Sequence, residues 1–305
     1  MLQLVEGVSM LKSTCAGLVL VLCTPLSAIA QEEAPDIKIE TGGKLRLTRG
    51  ISTLEGQGGG GLTPWALITG DETDRGIGGT AHVTAVDLPD YSFLSYGVGI
   101  GLFDRFELTY TRQEFDTEDV GAALGLGRGF TFGQDVWGAK VRVLGDAIYD
   151  QDTWLPQIAV GANWKQNDQG ATISAIGGSD DEGWETYASA TKLFLDSSLL
   201  LNGTLRWTNA NQTGILGYGG SLNDDHELIG EVSAGWMLSR DIVIGGEYRM
   251  KPDNLAIAKE DDWIDLYAAW AINKHVTLTG AYVDLGSIVT FENQRGVYLS
   301  LQAGF

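Results

Sequence analysis

Eight charged residues at alternating positions of predicted strands are the side chains with the clearest chemical use. They carry both signs, and each lies on the strand face opposite the apolar one. We expect them to line an aqueous lumen or to pair across neighbouring strands. These lumen candidates are Glu107, Lys140, Arg142, Lys165, Arg206, Glu231, Glu247 and Arg249.

The sequence offers little support for other chemistry. His82, His226 and His275 are far apart and show no i, i+4 metal spacing. The glycine-rich run 56–61 lacks the following Lys-Ser/Thr of a phosphate loop, and Pro64 interrupts any helix after it. We therefore predict no catalytic residues, no metal site and no cofactor.

A hydrolase embedded in an outer membrane is a weaker alternative to a β-barrel without enzyme activity. Such an enzyme would need a serine or acid held by a histidine at the lipid-facing rim, and His226 or His275 would be that histidine. No local signature ties Ser179 or Ser287, both in predicted outer loops, to either histidine. We therefore predict that the protein is not an enzyme.

The amino terminus has the order of a secretory signal. Lys12 precedes the apolar stretch 16–22, and the small-residue run 28–30 precedes Gln31. We predict cleavage after Ala30. Both cysteines lie inside this signal, at Cys15 and Cys23, so the mature chain would have no disulfides.

The chain is strongly acidic, with 20 Lys and Arg against 40 Asp and Glu and a net charge of −20. Removal of the signal deletes one base and one acid, so the charge is unchanged. Nucleic acid is therefore not an expected partner. Acidic clusters fall in predicted outer loops, where they are ordinary solvated tips or bind cations that bridge lipopolysaccharide: Asp180 to Glu182, Asp224-Asp225 with Glu227, and Glu260 to Asp262.

Period-two alternation predicts strands from about residue 79 onward. No apolar run of membrane-helix length follows the first thirty residues, which excludes a helical membrane protein. Between residues 157 and 165 one face is apolar and the opposite face is mostly polar or small, as in a strand between lipid and water. The apolar face carries Ile158, Val160, Ala162 and Trp164. The segment 184–195 alternates poorly, so its register stays open.

Connection lengths predict the topology. Short links alternate with long polar ones, which places short turns in the periplasm and long loops outside. Counting one strand between each link and the next predicts an all-β antiparallel transmembrane barrel of about twelve strands. The count is fourteen if Lys44 to Thr48 and Leu62 to Gly70 join the wall. Residues 1–30 are then the signal, 31–75 a periplasmic or lumen-plug segment, and 76–305 the barrel. A soluble secreted β-sandwich is the remaining fold alternative.

Two features fit insertion into an outer membrane. The last strand alternates up to a terminal phenylalanine, which is typical of a signal for the barrel-insertion machinery and rests on Val297, Leu299, Leu301 and Phe305. Tryptophans near predicted strand ends suit an interfacial girdle, although burial in a core is the alternative: Trp154, Trp164, Trp184, Trp207 and Trp263.

The segment from Gly42 to Gly70, with Glu55, glycines 58–61 and Pro64-Trp65, resembles a family of uncharacterised Gram-negative outer-membrane proteins that share a conserved domain of unknown function. It is also similar, more distantly, to barrels encoded near aromatic-degradation pathways. The resemblance implies an outer-membrane location and assigns no catalytic residues.

We predict an outer-membrane barrel that serves as a passive channel or uptake porin for small solutes. Its expected partners are outer-membrane lipid, lipopolysaccharide, the insertion machinery and a small-molecule solute. The alternative is a closed structural or surface-interaction barrel that binds lipopolysaccharide, cations or a partner protein.

Overall fold

A computed structural model describes residues 40–257 and 259–305. Twelve antiparallel strands form a closed barrel in which each strand pairs with its neighbours in sequence, and the last strand pairs with the first. The predicted fold class and the count of twelve are confirmed. The predicted signal, its cleavage site and both cysteines lie outside the described residues.

The elements have the following bounds. Two short strands, β1 and β2, precede the barrel at Ile51–Ser52 and Gly58–Gly59. The barrel strands are β3 Ile77–Asp87, β4 Ser92–Leu102, β5 Phe106–Asp116, β6 Thr131–Leu144, β7 Gln157–Asn167, β8 Glu182–Phe194, β9 Leu199–Thr208, β10 Glu227–Ser239, β11 Ile242–Arg249, β12 Trp263–Ala271, β13 Val276–Asp284 and β14 Arg295–Gly304. Two short α-helices of six residues each lie in loops, α1 at Glu118–Ala123 and α2 at Gly170–Ala175.

The strands have two faces, as the alternation predicts. On β7, Val160 and Trp164 are exposed on the outside of the barrel, whereas Asn163 and Lys165 are buried inside. Exposed leucine, valine, isoleucine and tryptophan side chains recur on the outside of the other strands. An apolar exterior of this extent suits hydrocarbon rather than water, because burying it in lipid removes the cost of hydrating it.

One tryptophan departs from the predicted girdle. Trp184 and Trp207 are exposed on the outer face, but Trp263 is only 5% exposed and points into the barrel. Its assignment to the girdle is wrong, because β12 begins with an inward position and Trp263 shares its face with Asp265 and Tyr267. Its ring lies 4.9 Å from the ammonium of Lys251, inside the barrel mouth.

The two ends of the barrel differ in their connections. One end, here called the turn end, carries the start of β3, the end of β14 and mostly short turns, with the longest link at residues 145–156. The opposite end, the loop end, carries α1, α2 and the loop between β9 and β10. No helix within residues 40–257 and 259–305 is long and apolar enough to cross a membrane.

A single segment fills the interior. Every residue from 48 to 70 is buried, and we call this segment the plug. Its β1–β2 hairpin pairs Ile51 with Gly59 and makes a separate two-stranded sheet. The fourteen-strand alternative is therefore wrong: residues 44–48 contain a bend and most of a turn at 46–49 but no strand, and residues 62–70 lie inside the wall instead of joining it.

Two inward tyrosines lie over glycines on the adjacent strand. Tyr187 on β8 is paired with Gly161 on β7, and Tyr267 on β12 is paired with Gly245 on β11. A Cβ atom at either glycine would overlap the tyrosine ring. The absence of a side chain therefore lets each ring pack flat against the wall.

We expect Gly161→Ala to lower the free energy of unfolding by about 1–3 kcal/mol, because the Tyr187 ring must move out of a packed position. Gly203→Ala on β9 is the matched control, since a Cβ there would meet no atom within 4 Å. Urea unfolding in detergent micelles measures both. Equal stability of the two variants would show that the Tyr187 contact is not formed.

Candidate functional site

The lumen is the candidate site, because the charged side chains of the wall converge there on the plug. Lys140 donates to the carbonyl oxygens of Gly58 and Trp65, at 3.0 and 3.1 Å. Glu107 accepts from the amides of Gly58 and Thr69, at 3.3 and 2.7 Å, and pairs with Lys140 at 3.0 Å. This wall pair thus binds both the amide and the carbonyl group of Gly58 in the plug backbone.

Glu247 makes a second attachment on the opposite wall. Its carboxylate accepts from the Leu62 amide at 2.7 Å and from the Thr63 hydroxyl at 2.5 Å. A Cβ at Gly60 would overlap this carboxylate, so the glycine run permits a close approach of backbone to wall. The neighbouring Pro64 carbonyl accepts from three wall side chains, Ser189, Asn202 and Thr204.

Glu55 is the one carboxylate of the plug, residues 48–70, and it lies among three cationic side chains of the wall. Its Oε1 atom is 2.6 Å from Lys165 Nζ and 2.9 Å from Arg249 Nη2, and its Oε2 atom is 3.3 Å from Arg206 Nη1. All four side chains are at most 3% exposed. We call Lys165, Arg206 and Arg249 the basic triad.

Two wall carboxylates also contact the triad. Glu185 pairs with Arg206 at 2.5 Å and with Lys165 at 2.9 Å. Glu231 pairs with Arg206 at 2.5 Å and lies 3.8 Å from Arg249. The wall therefore supplies three bases and two acids, and Glu55 of the plug brings this cluster to neutrality.

Above the plug, the loop between β9 and β10 folds into the barrel mouth. Its turn Asn211–Gly214 is buried, and the Thr213 carbonyl accepts from Lys165 at 2.8 Å. Leu216 and Tyr218 are also buried there. We call residues 209–218 the cap, and it closes the loop end over the plug.

The turn end is held by a further group of charges. Lys44 lies 2.9 Å from Asp104 and 3.4 Å from Glu72. Glu72 follows the plug, outside the strands, and its side chain is buried. Burial raises the pKa of Glu72 to about 7, although Lys44 opposes that rise.

We expect stability to fall between pH 4.5 and 7 because of Glu72. The folded protein holds the Glu72 proton more tightly than the unfolded chain, so the contribution is complete below the ordinary pKa and is lost as pH rises through 7. The loss amounts to about 3 kcal/mol at most. Urea midpoints across this range measure it, and Glu72→Gln should flatten the profile; an unchanged profile in that variant would contradict the assignment.

The structure places seven of the eight lumen candidates inside the barrel in contact with the plug or the triad. Arg142 lies instead at the turn end, where it pairs with Asp104 and with Asp146, the latter at 3.0 Å. Sequence reasoning did not select Glu185, because the alternation of β8 was too poor to assign its face. Glu55 was named only as part of the family motif, because no nearby sequence pattern shows which cationic side chains it pairs with.

The histidines of the hydrolase alternative contact carbonyl oxygens. His226 Nε2 lies 3.0 Å from the Trp184 carbonyl, and the His226 ring stacks on Trp184 and Trp207. His275 Nδ1 lies 2.9 Å from the Gly304 carbonyl at the turn end. Neither arrangement presents a serine hydroxyl to the histidine. The absence of an enzyme activity stays a prediction.

Several solved barrels are similar in fold to this chain. An active-site mutant of outer membrane phospholipase A from Escherichia coli is 12% identical, with a TM-score of 0.42 and coverage of 73% of this chain and 89% of that one. The NanC porin is 8% identical, with a TM-score of 0.46 and coverage of 74% and 98%. Salmonella typhi OmpF in complex with daunomycin is 8% identical, with a TM-score of 0.35 and coverage of 75% and 97%.

No curated protein matches the chain. A family described as a protein of unknown function, DUF3034, matches residues 48–302, which span the plug and nearly the whole wall. The chain therefore belongs to the DUF3034 family.

Proposed function

We propose that this chain is an outer-membrane barrel that acts as a gated channel for small solutes and is closed in the described state by its plug. The proposal rests on the observation that the charged side chains of the wall have the plug as their common partner. Glu107, Lys140, Glu247 and the basic triad bond to one continuous segment of the chain. If that segment leaves, the same side chains line an aqueous passage.

The plug is suited to leaving. Its own secondary structure is a hairpin with two residues in each strand, and it is rich in glycine and threonine. Water can replace the hydrogen bonds that hold its backbone to the wall. The burial of its apolar side chains, such as Leu62, Trp65 and Ile68, keeps the plug seated in the described state. A twelve-strand wall is also near the size at which a lumen can be either filled or open.

The proposal includes orientation and partners. The apolar exterior contacts lipid and lipopolysaccharide, the turn end faces the periplasm and the loop end faces outside. The outward residues of β14, Val297, Leu299 and Leu301, with Phe305 after the strand, serve as the signal for the insertion machinery. An amino-terminal export signal would deliver the chain to that machinery.

A closed surface-interaction barrel is the second candidate, and the cap favours it. Ile215, Leu216 and Tyr218 of the cap are each at most 4% exposed, so the loop end carries an apolar closure of its own. A barrel sealed in this way would use its acidic loops to bind cations, lipopolysaccharide or a protein instead of passing a solute.

Single-channel recording in planar bilayers separates the two functions. We expect the full mature chain to be closed for most of the recording, and a variant with residues 48–70 replaced by a short Gly-Ser linker to conduct persistently. Heat-modifiable mobility in gels shows whether the linker variant is folded. A folded but silent linker variant would favour the closed barrel. If it does not fold, Glu55→Ala in the full chain provides the same comparison.

A further inference from the structure

The basic triad is a carboxylate-binding site that the protein fills with its own side chain. Two guanidinium groups and one ammonium group surround the Glu55 carboxylate within 3.3 Å, and their side chains are at most 3% exposed. Guanidinium groups present paired donors that match carboxylate geometry, and charge-assisted hydrogen bonds of this kind are stronger than neutral ones.

When the plug leaves the lumen, the wall carries an excess positive charge around the basic triad. Arg206 retains Glu185 and Glu231 as partners, but the triad as a whole then has three bases against two acids. In the open lumen this excess positive charge faces water inside a narrow wall, so it attracts an anion to the position that Glu55 vacates.

Leu54, the residue before Glu55, indicates that such an anion would also carry an apolar group. Leu54 lines an apolar cavity of about 30 Å³ between the plug and the cap, with Phe93, Phe115 and Trp263 among its walls. That volume holds about one water molecule, so this cavity has no room for a solute in the closed state. Removal of the Leu54 side chain with the plug enlarges the cavity by the volume of an isobutyl group.

Leu54 and Glu55 thus present an apolar group and a carboxylate from one turn of the plug. We propose that small organic acids with an apolar group compete with this turn, bind the basic triad and stabilise the open state. The inference rests on the proposed gated channel and names its solute class. It treats Glu55 as the internal competitor of the solute.

The size of the effect follows from mass action. A ligand that binds only the open state raises the open population by the factor 1 + [L]/Kd, which is about elevenfold at ten times Kd. A ligand that binds both states equally has no effect. The plug's exposure is therefore a direct readout of binding, independent of conductance.

The test uses the chain without residues 1–30, which therefore lacks both native cysteines, with Ser52→Cys. Ser52 is fully buried in the plug and its hydroxyl has no hydrogen-bond partner, so the substitution is conservative. Labelling by a membrane-impermeant maleimide in detergent micelles reports plug departure. The probes are sodium 4-methylpentanoate, which copies the Leu54 and Glu55 side-chain groups, sodium acetate, which lacks the apolar group, and 4-methylpentylammonium chloride, which reverses the charge.

We expect 4-methylpentanoate to accelerate labelling by up to about tenfold, acetate to need higher concentrations, and the ammonium probe to have no effect. Arg249→Gln should abolish the acceleration by 4-methylpentanoate. Arg112→Gln should preserve it, because Arg112 lies on the outer face, where it pairs with Asp135 at 3.3 Å.

Two results would overturn the inference. Equal acceleration by the acid and the ammonium probe would show a nonspecific effect of apolar solutes. No acceleration by either acid, with a conducting linker variant, would show that a wall carboxylate such as Glu247 takes the place of Glu55. In both cases the gated channel would stand, whereas a folded and silent linker variant would remove the channel itself.

Discussion

Replacing Arg206 by methionine is expected to lower the free energy of unfolding by about 3–5 kcal/mol. The guanidinium of Arg206 lies within 3.3 Å of Glu55, Glu185 and Glu231, and its side chain is fully buried. Methionine fills much of the same space but leaves two wall carboxylates with fewer partners in a region without water. Those carboxylates must then bind protons or admit water, and both responses weaken the folded barrel.

Urea unfolding in detergent micelles, followed by tryptophan fluorescence, measures the loss. Arg128→Met is the matched control, because Arg128 and its partner Asp119 are 78% and 80% exposed in their side chains. An exposed ion pair contributes little, so the control should change stability by no more than about 0.5 kcal/mol. Similar effects of the two substitutions would mean that the buried network is not formed.

Glu55→Gln is expected to shift the equilibrium of the plug toward the open state by about 3 kcal/mol, a factor of more than about one hundred. Glutamine keeps the shape of the side chain but removes the charge that the basic triad surrounds. Because the plug is a short segment with a hairpin of its own, we expect this loss to open the channel without unfolding the wall. Open probability in planar bilayers measures the shift.

A second substitution tests whether charge is the cause. In Glu55→Gln/Arg249→Gln the wall has two bases and two acids around the vacant position, so the cluster is again neutral. We expect the double variant to close more often than Glu55→Gln alone, although Arg249 also donates to the Leu62 carbonyl at 3.0 Å. Purely additive opening by the two substitutions would contradict the claim that the charge of Glu55, paired with the basic triad, holds the plug in place.

The wall could be predicted from the sequence because its information is local. Each strand of about ten residues carries its own alternation, and neighbours in sequence are neighbours in the barrel. Glu107 and Lys140 were thereby placed on the inner face, and they are also paired with each other across β5 and β6. Trp263 was misassigned because residues near a strand end lack enough alternation to set the face.

The closure of the lumen depends on contacts that no local pattern encodes. Glu55 meets Lys165 across 110 positions of sequence and Arg249 across 194. The sequence shows only that the glycine run 58–61 is not a phosphate loop. The structural reason for the glycines appears in three dimensions, where Gly60 allows the plug to approach Glu247. Glu185 was missed because β8 alternates too weakly to show that Glu185 faces inward.

The most direct measurement of the plugged lumen is the maleimide labelling rate of Ser52→Cys without added ligand, compared with that of Ser197→Cys. Ser197 is exposed in the turn between β8 and β9, at the turn end of the same barrel. A seated plug predicts labelling of the Ser52 variant at least about one hundred times slower than that of the Ser197 variant. Equal rates in the folded barrel would show that residues 48–70 do not occupy the lumen.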